Sequence, residues 1–108
     1  MQSYLSPNEV RFRADSDSQS IQNAINEAEK GPIRVVHIPR VCARTGLEEW
    51  IIDKAILLPS DITVILDDCH LILKEGVYDN IFRNKTSENS YCFKSNTREY
   101  LLFYGICY

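Results

Sequence analysis

The sequence contains no apolar run that approaches the roughly 18 residues a membrane-spanning helix requires. Its opening residues, 1–7, also lack the basic region and continuous apolar stretch of a secretory signal. We therefore expect a chain that stays in the cytoplasm as written and has no membrane partner. With 108 residues, 44% of them apolar, it is long enough for one domain built around one core.

Positive charge is sparse as well. Twelve Lys and Arg residues stand against fifteen Asp and Glu residues, for a net charge of -3, and no dense basic cluster is present to neutralise a phosphate backbone. Nucleic acid is therefore excluded as a partner. A glycine-rich phosphate loop and a Ser or Cys in a nucleophile elbow are also missing, so we predict neither a bound cofactor nor a nucleophilic enzyme of that type.

Cysteine is not rare, but its spacing lacks the pairs typical of metal sites. The four cysteines are Cys42, Cys69, Cys92 and Cys107. They form no C-x-x-C motif, and only His37 and His70 could add nitrogen ligands, so a zinc site is not predicted. Buried free thiols in a reducing compartment are the preferred interpretation.

The clearest element that the sequence does contain is one amphipathic helix. Residues 16–19, S-D-S-Q, match a capping box in which Ser16 and Gln19 satisfy each other's backbone N–H groups. Apolar residues then recur with the period of a helix at Ile21, Ala24, Ile25 and Ala28. We predict that Gly31 ends this helix as a left-handed C-cap and that Pro32 prevents its continuation.

Short apolar runs rich in β-branched residues follow the helix and predict strands. These runs are residues 33–38, 50–52, 55–58, 62–66, 69–73 and 81–82. One helix for about six strands excludes alternating βαβ units and leaves an antiparallel sandwich or a strand solenoid. The turns contain no Asn-Gly or Asp-Gly pair, which weakens the antiparallel alternative, and an amphipathic helix could cover the open end of a solenoid.

Three segments carry a resemblance to a known family. Residues 17–28 read D-S-Q-S-I-Q-N-A-I-N-E-A, residues 35–39 read V-V-H-I-P, and residues 56–67 read I-L-L-P-S-D-I-T-V-I-L-D. In this order they resemble the N-terminal region of pectin-lyase-like right-handed parallel β-helix proteins, which include the pectate lyase superfamily and family 28 glycoside hydrolases such as polygalacturonases. The resemblance implies a mainly β fold, in which a capping helix precedes the first coils of the β-helix, and a polysaccharide partner. It also implies that relatives include secreted proteins.

The resemblance divides the chain into a polar lead (1–14), a cap with the first coils (15–84) and a divergent tail (85–108). Residues 40–46 are bulkier than the small glycine-rich turn usual after the first strand of the family. The family's catalytic carboxylates lie on later coils, and that part of the pattern is absent here. We therefore expect a structural role for this chain, as the N-terminal cap fragment of a carbohydrate-active protein, with no catalytic, cofactor-binding or metal-binding residues.

Several residues could contribute to a site, but structural roles are the preferred interpretation for each. Asp67 and Asp68 could form a carboxylate pair across a glycosidic bond, but adjacent strand residues point to opposite faces, so a solvated turn is the preferred interpretation. Asp53 and Asp79 could join them around Ca²⁺ only if the fold fixed their geometry. His37 and His70 have no evident partner in the sequence. The sequon at residues 84–86 carries no weight without a secretory signal.

Two further functional hypotheses stay open. The first is a small non-catalytic carbohydrate-binding or phage-type adhesion module on the same fold, with Trp50, Tyr78 and Phe82 as exposed stacking surfaces, although Trp50 beside two isoleucines favours a core position. The second is a complete enzyme, which the lack of a convincing carboxylate pair disfavours.

The last residues, 100–108, form an apolar and aromatic run. We expect it to fold back over the last coil, to mediate self-association as an open-edged strand, or to result from truncation or a shifted reading frame.

Overall fold

A computed structural model describes residues 4–59, 61–76, 81–84 and 91–95 of the chain. Within these ranges the chain forms one turn of 3-10 helix (Val10–Phe12), one α-helix and seven short strands. The helix is α1 (Asp17–Lys30), and the strands are β1 (Val35–Ile38), β2 (Trp50–Ile52), β3 (Ile56–Leu58), β4 (Ile62–Leu66), β5 (Leu71–Leu73), β6 (Phe82–Asn84) and β7 (Tyr91–Ser95). None of the helices in the described ranges is both long and apolar enough to cross a membrane.

The start of α1 agrees with the sequence prediction. Ser16 is extended, and its hydroxyl accepts a hydrogen bond from the backbone N–H of Gln19 at 3.2 Å. Asp17 in the first turn lies where the helix dipole favours negative charge. The reciprocal half of the capping box is not among the described hydrogen bonds: the Gln19 side-chain oxygen, which would accept from the N–H of Ser16, accepts instead from Lys54 Nζ at 2.6 Å. The amide nitrogen of Gln19 donates to Asn23, one turn further along the same face.

The end of α1 differs from the prediction. Gly31 caps the helix with its N–H, which donates to the carbonyl of Glu27 at 2.9 Å, but its backbone is extended, with φ −100 and ψ −178, and not left-handed. Pro32 explains the difference, because the ring of a proline disfavours helical geometry in the residue before it and drives that residue to the extended region. The predicted left-handed C-cap is therefore wrong.

The strands pair in parallel and follow one rule. Each strand hydrogen-bonds to the strand three places later, which gives a sheet β1-β4-β7 and two further pairs, β2-β5 and β3-β6. The register is continuous, so that Val36 lies beside Val64 and Ile38 beside Leu66. All four described strand pairings are parallel, which contradicts the antiparallel sandwich that the sequence had left open.

The core lies between α1 and the inward faces of the strands. β4 alternates buried and half-buried residues along its length, and Ile62, Val64 and Leu66 point inward. The remaining core combines the apolar stripe of α1 with the inward residues of the other strands. The chain thus consists of one helix followed by short parallel strands around a common apolar interior.

Strand positions agree with the sequence prediction except near the ends. The predicted strand at 33–38 begins only at Val35, and the strand predicted at 81–82 extends from Phe82 to Asn84. β7 was not predicted, because its segment was assigned to a polar tail. The apolar run at 100–108, with its expected self-association, lies outside the described residues.

Candidate functional site

Helix α1 covers one end of the strand arrangement. Its apolar stripe, predicted from the sequence, is fully buried and consists of Ile21, Ala24, Ile25 and Ala28. The helix packs against β1, β2 and β3, the first strand of each sheet. Each fully buried isoleucine contributes about 1.5–3 kcal/mol to folding, so this stripe joins the helix firmly to the first three strands.

The outer edges of β1, β2 and β3 need partners of their own. Each of these strands uses one edge to pair with a later strand. The N–H and C=O groups of one strand residue point to one edge, and those of the next residue point to the opposite edge. The edge that faces away from the later strand therefore presents backbone groups that need other partners. Three residues from the N-terminal segment bind these groups, and we refer to them as the edge-binding residues: Leu5, Asp17 and Gln22.

Leu5 binds the edge of β1 through its backbone. Its N–H donates to the carbonyl of Val35 at 2.8 Å, and its carbonyl accepts from the N–H of His37 at 2.7 Å. This is a parallel bridge, so residues around Leu5 act as a minimal extra strand beside β1. The side chain of Leu5 is buried and joins the core at the same time.

Gln22 binds the edge of β3 through its side-chain amide. The amide NH₂ donates to the carbonyl of Leu57 at 3.1 Å, and the amide oxygen accepts from the N–H of Leu57 at 2.8 Å. Ile56, the preceding residue, directs its N–H to Ile81 on the opposite side. One glutamine side chain therefore reproduces the donor and acceptor pair that a neighbouring strand would supply.

Asp17 binds the edge of β2 through its carboxylate. Its Oδ2 accepts from the N–H of Ile51 at 2.8 Å, whereas the N–H of Trp50 turns the other way to His70. Oδ1 accepts from Nε and Nη2 of Arg44 at 3.0 and 2.8 Å and from the thiol of Cys42. The carboxylate is 1% exposed, so a buried charge is compensated by one guanidinium and two further donors.

The Asp17 cluster changes the acidity of its neighbours. Its hydrogen bond to Arg44 raises the pKa of that guanidinium, which stays charged at every relevant pH. Burial raises the pKa of the Cys42 thiol, which therefore stays protonated and can donate to the carboxylate. The cluster ties the 40–46 segment, which the sequence marked as unusually bulky, to the start of α1.

Asp53 has a structural partner at the start of α1. It accepts a hydrogen bond from the hydroxyl of Ser18, in the first turn of α1. The adjacent Lys54 donates to the side-chain oxygen of Gln19 at 2.6 Å. Among the described residues no group of three or more His, Cys, Asp and Glu side chains could hold a metal ion. Asp79, the other residue considered for Ca²⁺, lies outside the described ranges.

A second group of polar side chains lies on the outward face of β1 and β4. His37 Nε2 is 3.0 Å from Asp67 Oδ2, and the ring of Tyr4 packs against the imidazole with centroids 4.9 Å apart at 46°. The expectation that His37 lacks a partner was wrong. The register explains why, because His37 lies beside Ile65 and Asp67 follows two residues later.

Asp68 and His70 lie between β4 and β5. Asp68 has a left-handed backbone with φ 51, directly after β4, and its side chain is exposed. His70 is exposed, and its carbonyl accepts from the N–H of Trp50. Of the acids and histidines weighed as site residues, the structure brings Asp67 and His37 together.

The described aromatic residues proposed for sugar stacking are core residues. Trp50 is 0% exposed, and its indole N–H donates to the carbonyl of Pro39 at 2.8 Å. Phe82 is 3% exposed. The idea that these two rings form an exposed sugar platform is therefore wrong, whereas the preferred core position of Trp50 is confirmed. Tyr78 lies outside the described residues.

Of the four cysteines, the two with described side chains are buried free thiols, as the sequence indicated. These are Cys42 and Cys69. Burial raises the pKa of Cys69 to about 12, so this thiol is a core group and not a nucleophile at neutral pH.

Comparison with known proteins adds no relative. No family model matches the chain, and no curated protein or solved structure matches it at a significant level.

Proposed function

We propose that this chain forms the N-terminal cap and the first coils of a right-handed parallel β-helix protein that acts on pectin-like polysaccharides, and that the described part has a structural and non-catalytic role. The pairing rule supports the β-helix: three short strands complete one coil, and the fourth returns beside the first in parallel register. The equivalent pairings β2-β5 and β3-β6 support the same two-coil arrangement.

The observation that carries the capping role is the set of bonds made by the edge-binding residues. An unpaired parallel edge is a template for association with another chain. Leu5, Asp17 and Gln22 bind the outer edges of all three strands of the first coil, and α1 covers their apolar ends. Covering the edge and the core together is the physical requirement for ending a solenoid.

The polysaccharide partner rests on the resemblance of residues 15–84 to the pectin-lyase-like family. The non-catalytic role rests on the environments of the acidic side chains: Asp17 and Asp53 bind groups of the cap, and Asp67 binds His37. The alternative function, a carbohydrate-binding or adhesion module on the same fold, requires aromatic surfaces other than Trp50 and Phe82, since both are buried.

Ile25→Asp tests the cap. A charge at this fully buried position should detach α1 and expose the first coil, so we expect the variant to unfold or to form aggregates detected by light scattering. Lys30→Asp, on the exposed end of the same helix, is the matched control and should melt and sediment like the parent. An Ile25→Asp protein that melts and sediments like the parent would contradict the proposal.

Incubation with polygalacturonate tests the non-catalytic role. We expect neither new reducing ends nor unsaturated products, measured by a reducing-sugar assay and by absorbance of the unsaturated uronate. Product formation that depends on Asp67 would show that the chain carries an active site of its own.

A further inference from the structure

We propose that the outer edge of β5 binds residues 100–102 of the same chain, which extend the sheet β2-β5 by a third parallel strand. The strand pairing of the described residues supports this contact independently of the capping role and of any polysaccharide. Folding back of the apolar run at 100–108, one of the three outcomes expected from the sequence, thereby acquires a defined position.

The edge of β5 that faces away from β2 carries backbone groups directed outward. Across the pair, the N–H of Lys74 donates to the carbonyl of Ile52 at 2.8 Å, so Lys74 faces β2. Because the residues of a strand alternate between its two edges, the N–H and C=O groups of Leu71 and Leu73 face the other way. Among the described strands, β2 is the one neighbour of β5. The other edge can therefore accept a further parallel strand.

The same edge leaves part of the core uncovered. Leu71 is buried, whereas Leu73 packs against the core and is only partly buried. Ile72, between them, points outward and is 41% exposed. In the neighbouring sheet β7 lies beyond β4, whereas the described part of the sheet β2-β5 has two strands. An apolar strand on β5 covers Leu73 and brings the two sheets level.

The spacing of the chain after β7 matches the spacing after β4. The two strands pair in register, with Ser95 next to Leu66. From Leu66 the chain reaches β5 through four residues, 67–70, and four residues, 96–99, also separate Ser95 from Tyr100. Adjacent strands of a sheet lie about 4.8 Å apart. A connection of equal length that starts one strand further out therefore ends one strand further out, beside β5.

This register places apolar residues beside apolar residues. Residues 71–73 read L-I-L, and residues 100–102 read Y-L-L. Tyr100 and Leu102 then face the core, and Leu101 points outward, because side chains alternate along a strand. The backbone of Leu101 supplies the N–H and the C=O that the outward groups of β5 require.

Hydrogen exchange of the full chain, labelled with ¹⁵N, tests the contact at Leu73. Its N–H binds the carbonyl of Leu101 in the proposed register, so we expect exchange at least about 100-fold slower than in an unstructured peptide. This protection should not depend on the chain concentration. Exchange as fast as in an unstructured peptide would overturn the proposal. Protection that appears only as a dimer forms, measured by sedimentation, assigns the edge to a second copy and overturns it too.

Substitutions of two neighbouring residues identify the segment. Leu102→Asp places a charge on the inward side and should speed exchange at Leu73 by at least about tenfold. Leu101→Asp, on the outward side, keeps the backbone contact and is the matched control, with exchange within about threefold of the parent. Where Leu102→Asp fails to fold, Leu102→Ala and Leu101→Ala give the same comparison. Equal exchange at Leu73 in the inward variant and in the parent contradicts the contact.

Exchange at Leu57 separates this contact from the capping role in the same samples. Gln22 holds the N–H of Leu57 at the outer edge of β3. Slow exchange at Leu57 with fast exchange at Leu73 retains the cap and removes the third strand. The reverse result retains the third strand and removes the edge contact of the cap.

Discussion

At the scale of single residues, the buried carboxylate of Asp17 joins the start of α1 to β2 and to the 40–46 segment. It lies at the start of α1 and accepts four hydrogen bonds, from Ile51, Cys42 and two nitrogens of Arg44. A buried carboxylate is tolerated only with such a complete set of donors. Any change that removes the carboxylate therefore leaves several groups without partners at once.

We expect Asp17→Ala to destabilise the chain by about 2–4 kcal/mol, since the Ile51 N–H and the Arg44 guanidinium both lose their acceptor. Arg44 is partly exposed, which keeps the loss below that of a fully buried pair. Urea denaturation measures the change. Arg40→Ala is the control, because its ion pair with Glu48 is exposed on both sides and should contribute no more than about 1 kcal/mol.

Burial of the Cys69 thiol makes the stability of the folded chain decrease at high pH. Burial raises its pKa from 9.0 to about 12, so the unfolded chain loses the thiol proton at a pH where the folded chain keeps it. The contribution of this thiol to stability is complete below pH 9 and decreases as the pH rises towards 12, by at most about 1.4 kcal/mol per pH unit. Burial of Cys42 acts in the same direction.

Denaturation at pH 8 and pH 10.5 measures this effect in the parent and in Cys69→Ala. The variant should be less stable at pH 8, and the difference between the two proteins should shrink at pH 10.5. Tyrosine and lysine titration is common to both proteins and cancels. A constant difference at the two pH values would contradict the assignment.

Some single-residue environments follow from the sequence, and others depend on contacts between distant segments. Ile21 and Ile25 were placed in the core from their spacing alone, because helical periodicity is a local signal. The partner of His37 was not found, because Asp67 comes beside it only through the register of β1 on β4. Asp17 was predicted only as part of the capping box. Its acidic side chain, together with the bulky Arg-containing segment at 40–46, could have indicated an ion pair.

At the scale of elements, α1 has two functions on two faces. One face buries apolar side chains, and a neighbouring face carries Ser18, Gln19 and Gln22, which bind Asp53, Lys54 and Leu57. These three polar residues therefore bind β3 and the segment between β2 and β3, and are not merely a solvated surface.

We expect Gln22→Ala to destabilise the chain by about 1–3 kcal/mol, because both backbone groups of Leu57 lose their partner. The amide proton of Leu57 should exchange with solvent faster than in the parent, which hydrogen-exchange NMR measures. Gln19→Ala, which removes side-chain bonds to Asn23 and Lys54 and none to a strand backbone, is the control. Unchanged exchange at Leu57 in Gln22→Ala would show that the glutamine does not protect the strand edge.

Helix start and strand positions were predictable because their signals are local. The capping serine, the apolar stripe and the β-branched runs each lie within a few residues of one another. The left-handed conformation predicted for Gly31 is wrong because Pro32 drives the backbone of the preceding residue to the extended region. β7 was missed because a strand flanked by polar residues lacks a distinct apolar signal, and its pairing with β4 is not local.

At the scale of the whole molecule, inward residues of paired parallel strands stack into one apolar column. Trp50 lies beside Leu71, and Ile56 lies beside Phe82, in register. Because α1 and the strands of all three sheets share this core, we expect the chain to unfold as one cooperative unit. Parallel pairing between distant segments could not be derived from periodicity, which fixes the faces of a strand but not its neighbour.

Ile52→Ala tests this column. Ile52 is fully buried on β2, so we expect a loss of about 2–5 kcal/mol with coincident transitions by Trp50 fluorescence and far-UV circular dichroism. Ile72→Ala, on the paired strand β5 but pointing outward, should change stability by about 0.5 kcal/mol or less. Separate transitions for the two probes would show that parts of the chain unfold independently.

The edge-binding residues all precede the strands that they bind. A ribosome releases Leu5, Asp17 and Gln22 before β1, β2 and β3, and domains form from the N-terminal side during synthesis. Each of these three strands therefore leaves the ribosome after the residue that binds its outer edge. The order of translation is therefore also the order in which the capped fold is built, from its N-terminal side onward.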